Sequence, residues 1–185
     1  MERTVIDQMV DDHGELARHL LEAGQPSLLN NSDAAFRKSL TLAAASSFES
    51  QVKAHLLAFV SARSSSDALT IAFVKNKALE RQYHTLFEWK GTSANSFFGL
   101  FGAGFRQHMA ARTKADKTLD DSIRAFLELG NLRNEIAHQD FVSYPMEKTV
   151  TDVYDLYKRA RMFVDGLPSF LAGYVEAPAP VAPAA

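Results

Sequence analysis

The chain has 185 residues, 46% hydrophobic and 23% charged, with twenty basic against twenty-two acidic side chains and a net charge of −2. That balance fits one ordinary soluble domain with a real core, and it excludes a generally basic nucleic-acid coat while leaving room for a local basic patch. Cysteine is absent, which rules out disulfides and Cys-ligated metals and is compatible with a cytoplasmic, reducing setting.

The start, Met1-Glu2-Arg3-Thr4, meets acidic residues within a few positions and lacks the apolar core of a signal peptide. Residues 4–23 carry apolar pairs at Val5/Ile6, Met9/Val10, Leu16/Ala17 and Leu20/Leu21. Steps of three and four predict one buried helical face. Gly24, Pro26 and Asn30-Asn31 punctuate a loop, and Ser32-Asp33 is placed to cap a second helix. That helix has the clearest period in the chain: Phe36, Leu40, Ala43/Ala44, Phe48, Val52, Leu56 and Phe59/Val60. The small run Ala43 to Ser47 would let another helix come close. Ser64-Ser65-Ser66 ends it, and Asp67 opens a third helix running to about Trp89, with Leu69, Phe73, Leu79, Tyr83 and Leu86/Phe87 as its apolar stripe.

Residues 91–105 set Gly99, Gly102 and Gly104 among Phe97, Phe98, Leu100, Phe101 and Phe105. The spacing matches no phosphate-binding glycine loop. The favoured reading is a glycine-softened segment that packs its rings into the core or a subunit contact; the sharper one is a stacking platform for bases. Arg106, Arg112, Lys114 and Lys117 follow with Asp116 as the only acid among them, the most basic window in the chain. A solvated helix end explains it, and so would a track for RNA phosphates.

Thr118-x-x-Asp121 resembles a capping box, and Leu119, Ile123, Phe126 and Leu127 form one apolar face behind it. Gly130 and Asn131 then suit a C-cap and an N-cap, so a break is expected there. Ser143-Tyr144-Pro145 is a turn, and Thr149-x-x-Asp152 caps a last helix with Val150, Val153, Tyr157, Ala160, Val164 and Leu167 inward, stopped or bent at Pro168. No apolar run of about 18 residues offers a membrane span. The expected fold is all-α, a single bundle of about five helices over residues 1–174, with a disordered or extended Pro/Ala tail at 175–185.

The chemistry concentrates in Arg133-Asn134-Glu135-Ile136-Ala137-His138. At about 100° per residue, Arg133, Asn134, Ala137 and His138 share one broad polar face, while Leu132 and Ile136 anchor the segment to the core. Asn134 and His138 stand at i and i+4, so the amide can orient the imidazole. Arginine holds phosphate oxygens through a planar fork, and histidine moves protons near neutrality. In RNA the neighbouring 2′-OH is a ready nucleophile. A metal-free cut needs a base for that hydroxyl, an acid for the 5′-oxygen and positive charge on the phosphorane. It leaves a 2′,3′-cyclic phosphate and a 5′-OH. One Arg-His pair is few for three roles, and a symmetric dimer would bring two pairs to one cleft. The same spacing also arises by chance on ordinary helix surfaces. The other histidines, His13, His19, His55, His84 and His108, are scattered without a metal-binding pattern, and no metal or cofactor is expected.

In this context the hexapeptide resembles the R-x(4–6)-H signature of the HEPN superfamily (higher eukaryotes and prokaryotes nucleotide-binding domains). The stretch from Phe36 to Phe59, with Ala-Ala-Ser-Ser-Phe-Glu at its middle, is similar to the long early helix of the RiboL-PSP-like HEPN group. The resemblance implies a helical bundle that forms a homodimer with a composite active site. It implies a metal-independent endoribonuclease with Arg133 and His138 as the catalytic pair and Asn134 as the supporting polar residue. It further implies a role as a toxin or antiviral defence effector, with a separate antitoxin or regulator protein. Some members are noncatalytic modules that bind a nucleotide or a partner protein, and that is the alternative.

Overall fold

Two threonines start the helices at either end of the fold in the same way. Thr4 Oγ1 accepts the Asp7 N–H at 3.2 Å, and Asp7 accepts the Thr4 N–H at 2.7 Å. Thr149 and Asp152 repeat the exchange at 3.1 and 2.9 Å. Each pair satisfies two of the donors that a helix start leaves bare. The computed structural model describes residues 3–174. The α-helices are α1 (Val5–Glu22), α2 (Pro26–Arg63), α3 (Ala68–Val74), α4 (Asn95–Gly99), α5 (Ala103–Ala115), α6 (Lys117–His138) and α7 (Val150–Ala172), with no strand among the described residues. Five of them, α1, α2, α5, α6 and α7, are long, which matches the expected number, with α5 in place of the long third helix expected over 67–89. The Pro/Ala segment 175–185 lies outside the described residues.

α6 packs most extensively on α7, and both pack on α2, with α1 laid against α2 from outside. Inward residues of the three central helices are fully buried, among them Leu40, Phe48 and Val52 on α2, Leu119, Ile123 and Leu127 on α6, and Tyr157, Ala160 and Val164 on α7. A column of rings fills the centre. Phe48 stacks on Tyr157 at 5.2 Å, and Phe87 on Phe97 at 4.5 Å. Phe126 meets Phe87 and Phe163 edge-on. Phe97, Phe98 and Phe105 are therefore core residues, and the base-stacking reading of residues 91–105 falls away.

Several local expectations are corrected. α2 begins at Pro26, not at Ser32-Asp33. Proline's fixed φ suits the first helical position, and the cost of Asn30-Asn31 inside a helix is only a few tenths of a kcal/mol each. Asp33 instead accepts from His13 Nε2 at 2.7 Å, and that imidazole stacks on Phe36 at 3.9 Å. The third helix is short. A wider turn at Lys75–Leu79, closed by Glu80 N–H to Lys75 O at 2.8 Å, shifts the helical phase. Leu79 is buried, while Leu69 and Phe73 on the predicted stripe are exposed. α1 is peripheral, so Val5, Leu16 and Leu21 stay largely in solvent.

α6 is capped by Asp116, which accepts from the Thr118 and Leu119 N–H groups. Asp121 pairs with Arg159 at 2.8 Å instead of capping. No break occurs at Gly130, since Asn131 Nδ2 donates to Glu135 at 2.8 Å along an unbroken helix. α7 likewise passes through Pro168 to Ala172. A mid-helix proline costs about 3 kcal/mol. Burial of Leu167, Phe170 and Leu171 around it outweighs that loss.

Candidate active site

An open groove of about 1500 Å³ runs between α2, the C-terminal half of α6 and the irregular segment 75–90. Its α2 wall carries Glu49 and Lys53, joined at 2.5 Å. These residues flank the buried pair Phe48 and Val52, so the helix presents them at the edge of its core face. The second wall is a folded-back strip. Leu79, Leu86 and Phe87 root it in the core, and Lys75, Arg81, His84 and Lys90 line the groove. Trp89 Nε1 donates to the His84 carbonyl at 2.8 Å and fixes the short turn Tyr83–Thr85.

The hexapeptide is the third wall. Ile136 is buried and Leu132 packs on the core, as the helical wheel requires. Asn131, Arg133, Asn134, Glu135 and His138 line the groove, and Ala137 lies outside it. The groove face thus keeps Arg133, Asn134 and His138, lacks Ala137 and takes in Asn131 and Glu135. Arg133 Nη1 donates to Asn134 Oδ1 at 3.1 Å, and its Nη2 stands 4.0 Å from Glu49. Asn134 therefore orients the guanidinium, not the imidazole. His138 follows Arg133 by five residues, about 7.5 Å along the helix, and is exposed at the helix end.

The sequence profile of the RiboL-PSP-HEPN family matches residues 7–172. The chain belongs to this family. No curated protein and no solved structure matches it.

In this RiboL-PSP-HEPN chain the segment after the hexapeptide is tied down from two sides. Tyr144 donates to Glu135 at 2.6 Å, and that bond pushes the phenol pKa up to about 12. Lys38 is 6% exposed and donates to the carbonyls of Phe141 at 2.6 Å and Val142 at 3.1 Å. A buried ammonium needs acceptors, and the chain turn just past His138 supplies them.

Arg133, Asn134 and His138 thus share one groove wall. Arg106, Arg112, Lys114 and Lys117 do not line the groove. Lys117 opens the helix that Arg133 nearly closes, sixteen residues or about 24 Å away, and Arg112 lies over the Phe170 ring at 4.7 Å. The groove's cations are instead Lys53, Lys75, Arg81, Lys90 and Arg133, against the carboxylates Glu49, Glu80, Glu88 and Glu135. Sequence reasoning missed the wall at 75–90, since its apolar residues scan as one helix. Tyr83 sits deep there, and burial drives its hydroxyl pKa far above the ordinary range, with the Glu49 charge adding to the effect. Among the described residues no group of three or more His, Asp or Glu side chains is gathered to hold a metal. No described helix is long and apolar enough to cross a membrane.

Proposed function

We propose that the chain is a metal-independent endoribonuclease whose groove holds an RNA phosphodiester at Arg133. The observation that carries this is the placement of Arg133, Asn134 and His138 on one wall of a groove large enough for a strand. Asn134 pre-aligns the guanidinium fork, so little ordering is left for binding. Arg133 takes the non-bridging oxygens and stabilises the charge that grows on them. His138 moves a proton at the attacking 2′-oxygen or at the departing 5′-oxygen. The 2′-oxygen attacks phosphorus, the P–O5′ bond breaks, and the products are a 2′,3′-cyclic phosphate and a 5′-OH. A toxin or antiviral defence effector is the role that fits such an enzyme, with a separate regulator to silence it.

The test is RNA cleavage in EDTA by wild type beside Arg133→Ala and His138→Ala. Cleavage by wild type only, absent on 2′-deoxy substrate, supports the reading. RNA left intact by folded wild type at every dose overturns it in favour of a noncatalytic module that binds a nucleotide or a partner protein on the same wall.

A further inference from the structure

We propose that Lys53 holds the phosphate next to the one at Arg133, so that the groove takes a strand with at least two consecutive phosphates. This rests on the ribonuclease reading above and extends it from a reacting group to a binding path. One carboxylate shared by two cations carries it. Glu49 Oε1 accepts from Lys53 Nζ at 2.5 Å, and Glu49 Oε2 stands 4.0 Å from Arg133 Nη2. The ammonium and the guanidinium are thus separated by the width of one carboxylate and its two contacts. That is the scale of the step between neighbouring phosphates of a nucleotide strand.

Lys53 is held from two sides. It follows Glu49 by one helical turn on α2, and its Nζ lies 5.7 Å from the centre of the Tyr83 ring on the strip. The Tyr83 hydroxyl belongs to the same cluster: burial raises its pKa, the Glu49 charge raises it further, and the Arg133 charge opposes both. The Lys53 side chain is 30% exposed and that of Arg133 40%, and both line the groove. An ammonium carries three donors, and the bond to Glu49 uses one. Two positive charges against one negative leave this trio able to take an anion. Lys75, Arg81 and Lys90 also line the groove, but they stand exposed on the strip. A lysine ordered before binding loses less freedom to a phosphate than an exposed one does. A purely structural Lys53 would act through Glu49 on Arg133, and that would lower turnover instead of affinity.

The experiment begins with the full chain in EDTA and one RNA oligonucleotide whose cut linkage is mapped. Uncleavable copies then carry a 2′-deoxy sugar at that linkage. One copy has phosphates throughout, and two others have a neutral methylphosphonate at the linkage on one side or the other. Affinities are measured for wild type, Lys53→Met and Lys53→Arg, each with an unchanged thermal melt; if Lys53→Met melts early, Lys53→Gln takes its place. Wild type should bind one methylphosphonate copy about 10- to 100-fold more weakly than the all-phosphate copy. Lys53→Met should show that loss already on the all-phosphate copy and no further loss on the neutral one. Its log affinity should fall less steeply with log salt, by about 0.7 in slope. Lys53→Arg, which keeps the charge, should keep the steeper slope. On cleavable RNA, Lys53→Met should raise KM and leave kcat close to wild type. Wild-type affinity in Lys53→Met overturns the inference. So do methylphosphonate losses that simply add to the loss from the substitution. A drop in kcat at unchanged KM overturns it as well and makes Lys53 a support for Arg133. Wild type that leaves RNA uncut at every dose sinks the ribonuclease reading itself, an outcome distinct from RNA cut with no regard to Lys53.

Discussion

The Trp89 indole occupies the space where a Cβ at Gly130 would stand. This glycine is there for room, in the middle of α6, and not to end a helix. Gly130→Ala should gain up to about 1 kcal/mol in helix propensity and lose about 1–3 kcal/mol to the ring collision. The expected sum is a lower melting midpoint by a few degrees. If the groove is the site of cleavage, activity should fall further than stability does, because Trp89 also lines the groove beside the hexapeptide. Thermal melts and single-turnover rates on the same preparation check both, and a raised midpoint would mean that the ring moves aside freely.

At Arg133 the charge and the fork can be separated. Arg133→Ala should cost about 10²–10³-fold in cleavage. Arg133→Lys keeps the charge but loses the planar pair of donors and the bond to Asn134. It should recover only part of the rate. Rates for the two variants at fixed ionic strength decide this, and full activity in the lysine variant would show that charge alone suffices.

Lys38 reaches across more than a hundred residues of sequence to two carbonyls just past His138. Lys38→Met should cost about 1.5–3 kcal/mol, the range for hydrogen bonds to a charged group. The loss should be local. Hydrogen exchange should quicken at residues 141–144 and stay unchanged in α7. Uniform quickening would assign Lys38 to the global core instead.

Asp7 links the start of α1 to α7, accepting from Tyr154 at 2.9 Å with Arg161 at 3.8 Å. Burial pushes its carboxyl up, but the Thr4 hydrogen bonds, Tyr154 and Arg161 together hold it below its ordinary 3.8. A depressed carboxyl stabilises the fold above the ordinary value, and that contribution is lost as pH falls through the folded one. Asp7→Asn should therefore be weaker than wild type at pH 7, on the order of 1 kcal/mol. The difference should narrow as the pH falls below the ordinary 3.8 and through the depressed folded value. Urea midpoints at pH 7 and along that fall test it, and an unchanged gap would trace the effect to shape, not charge.

The helices of this fold were legible where a cap and a long period agreed. Asp67 and Thr149 start helices as read, and the inward rows of α2, α6 and α7 are buried as read. The reading failed where a residue has two uses. Gly130 can end a helix or make room for a ring, and only the fold brings Trp89 to it. Pro168 breaks helices on propensity, and burial around it overrode that, whereas the exposed Asn30-Asn31 cost too little to stop a helix that Pro26 begins. The hexapeptide was visible because its spacing is local. The wall facing it was not, because Tyr83, His84 and Trp89 reach the groove through a widened turn at Lys75–Leu79 and a left-handed residue at Arg81. Neither leaves a periodic trace. Arg106, Arg112, Lys114 and Lys117, read as a solvated helix end or a phosphate track, are exposed and do not line this groove.

The widened turn and the left-handed Arg81 mean that one groove wall owes little to helical register. Between the rooted Leu79 and Tyr83, exposed positions such as Glu80, Arg81 and Gln82 can change without rotating α2, α6 or α7. On the ribonuclease reading, the helical wall holds the phosphodiester and the strip shapes the rest of the groove. Variation among related chains should therefore gather at those positions, and if the groove holds RNA as proposed, which RNA each accepts can diverge while the hexapeptide stays as it is.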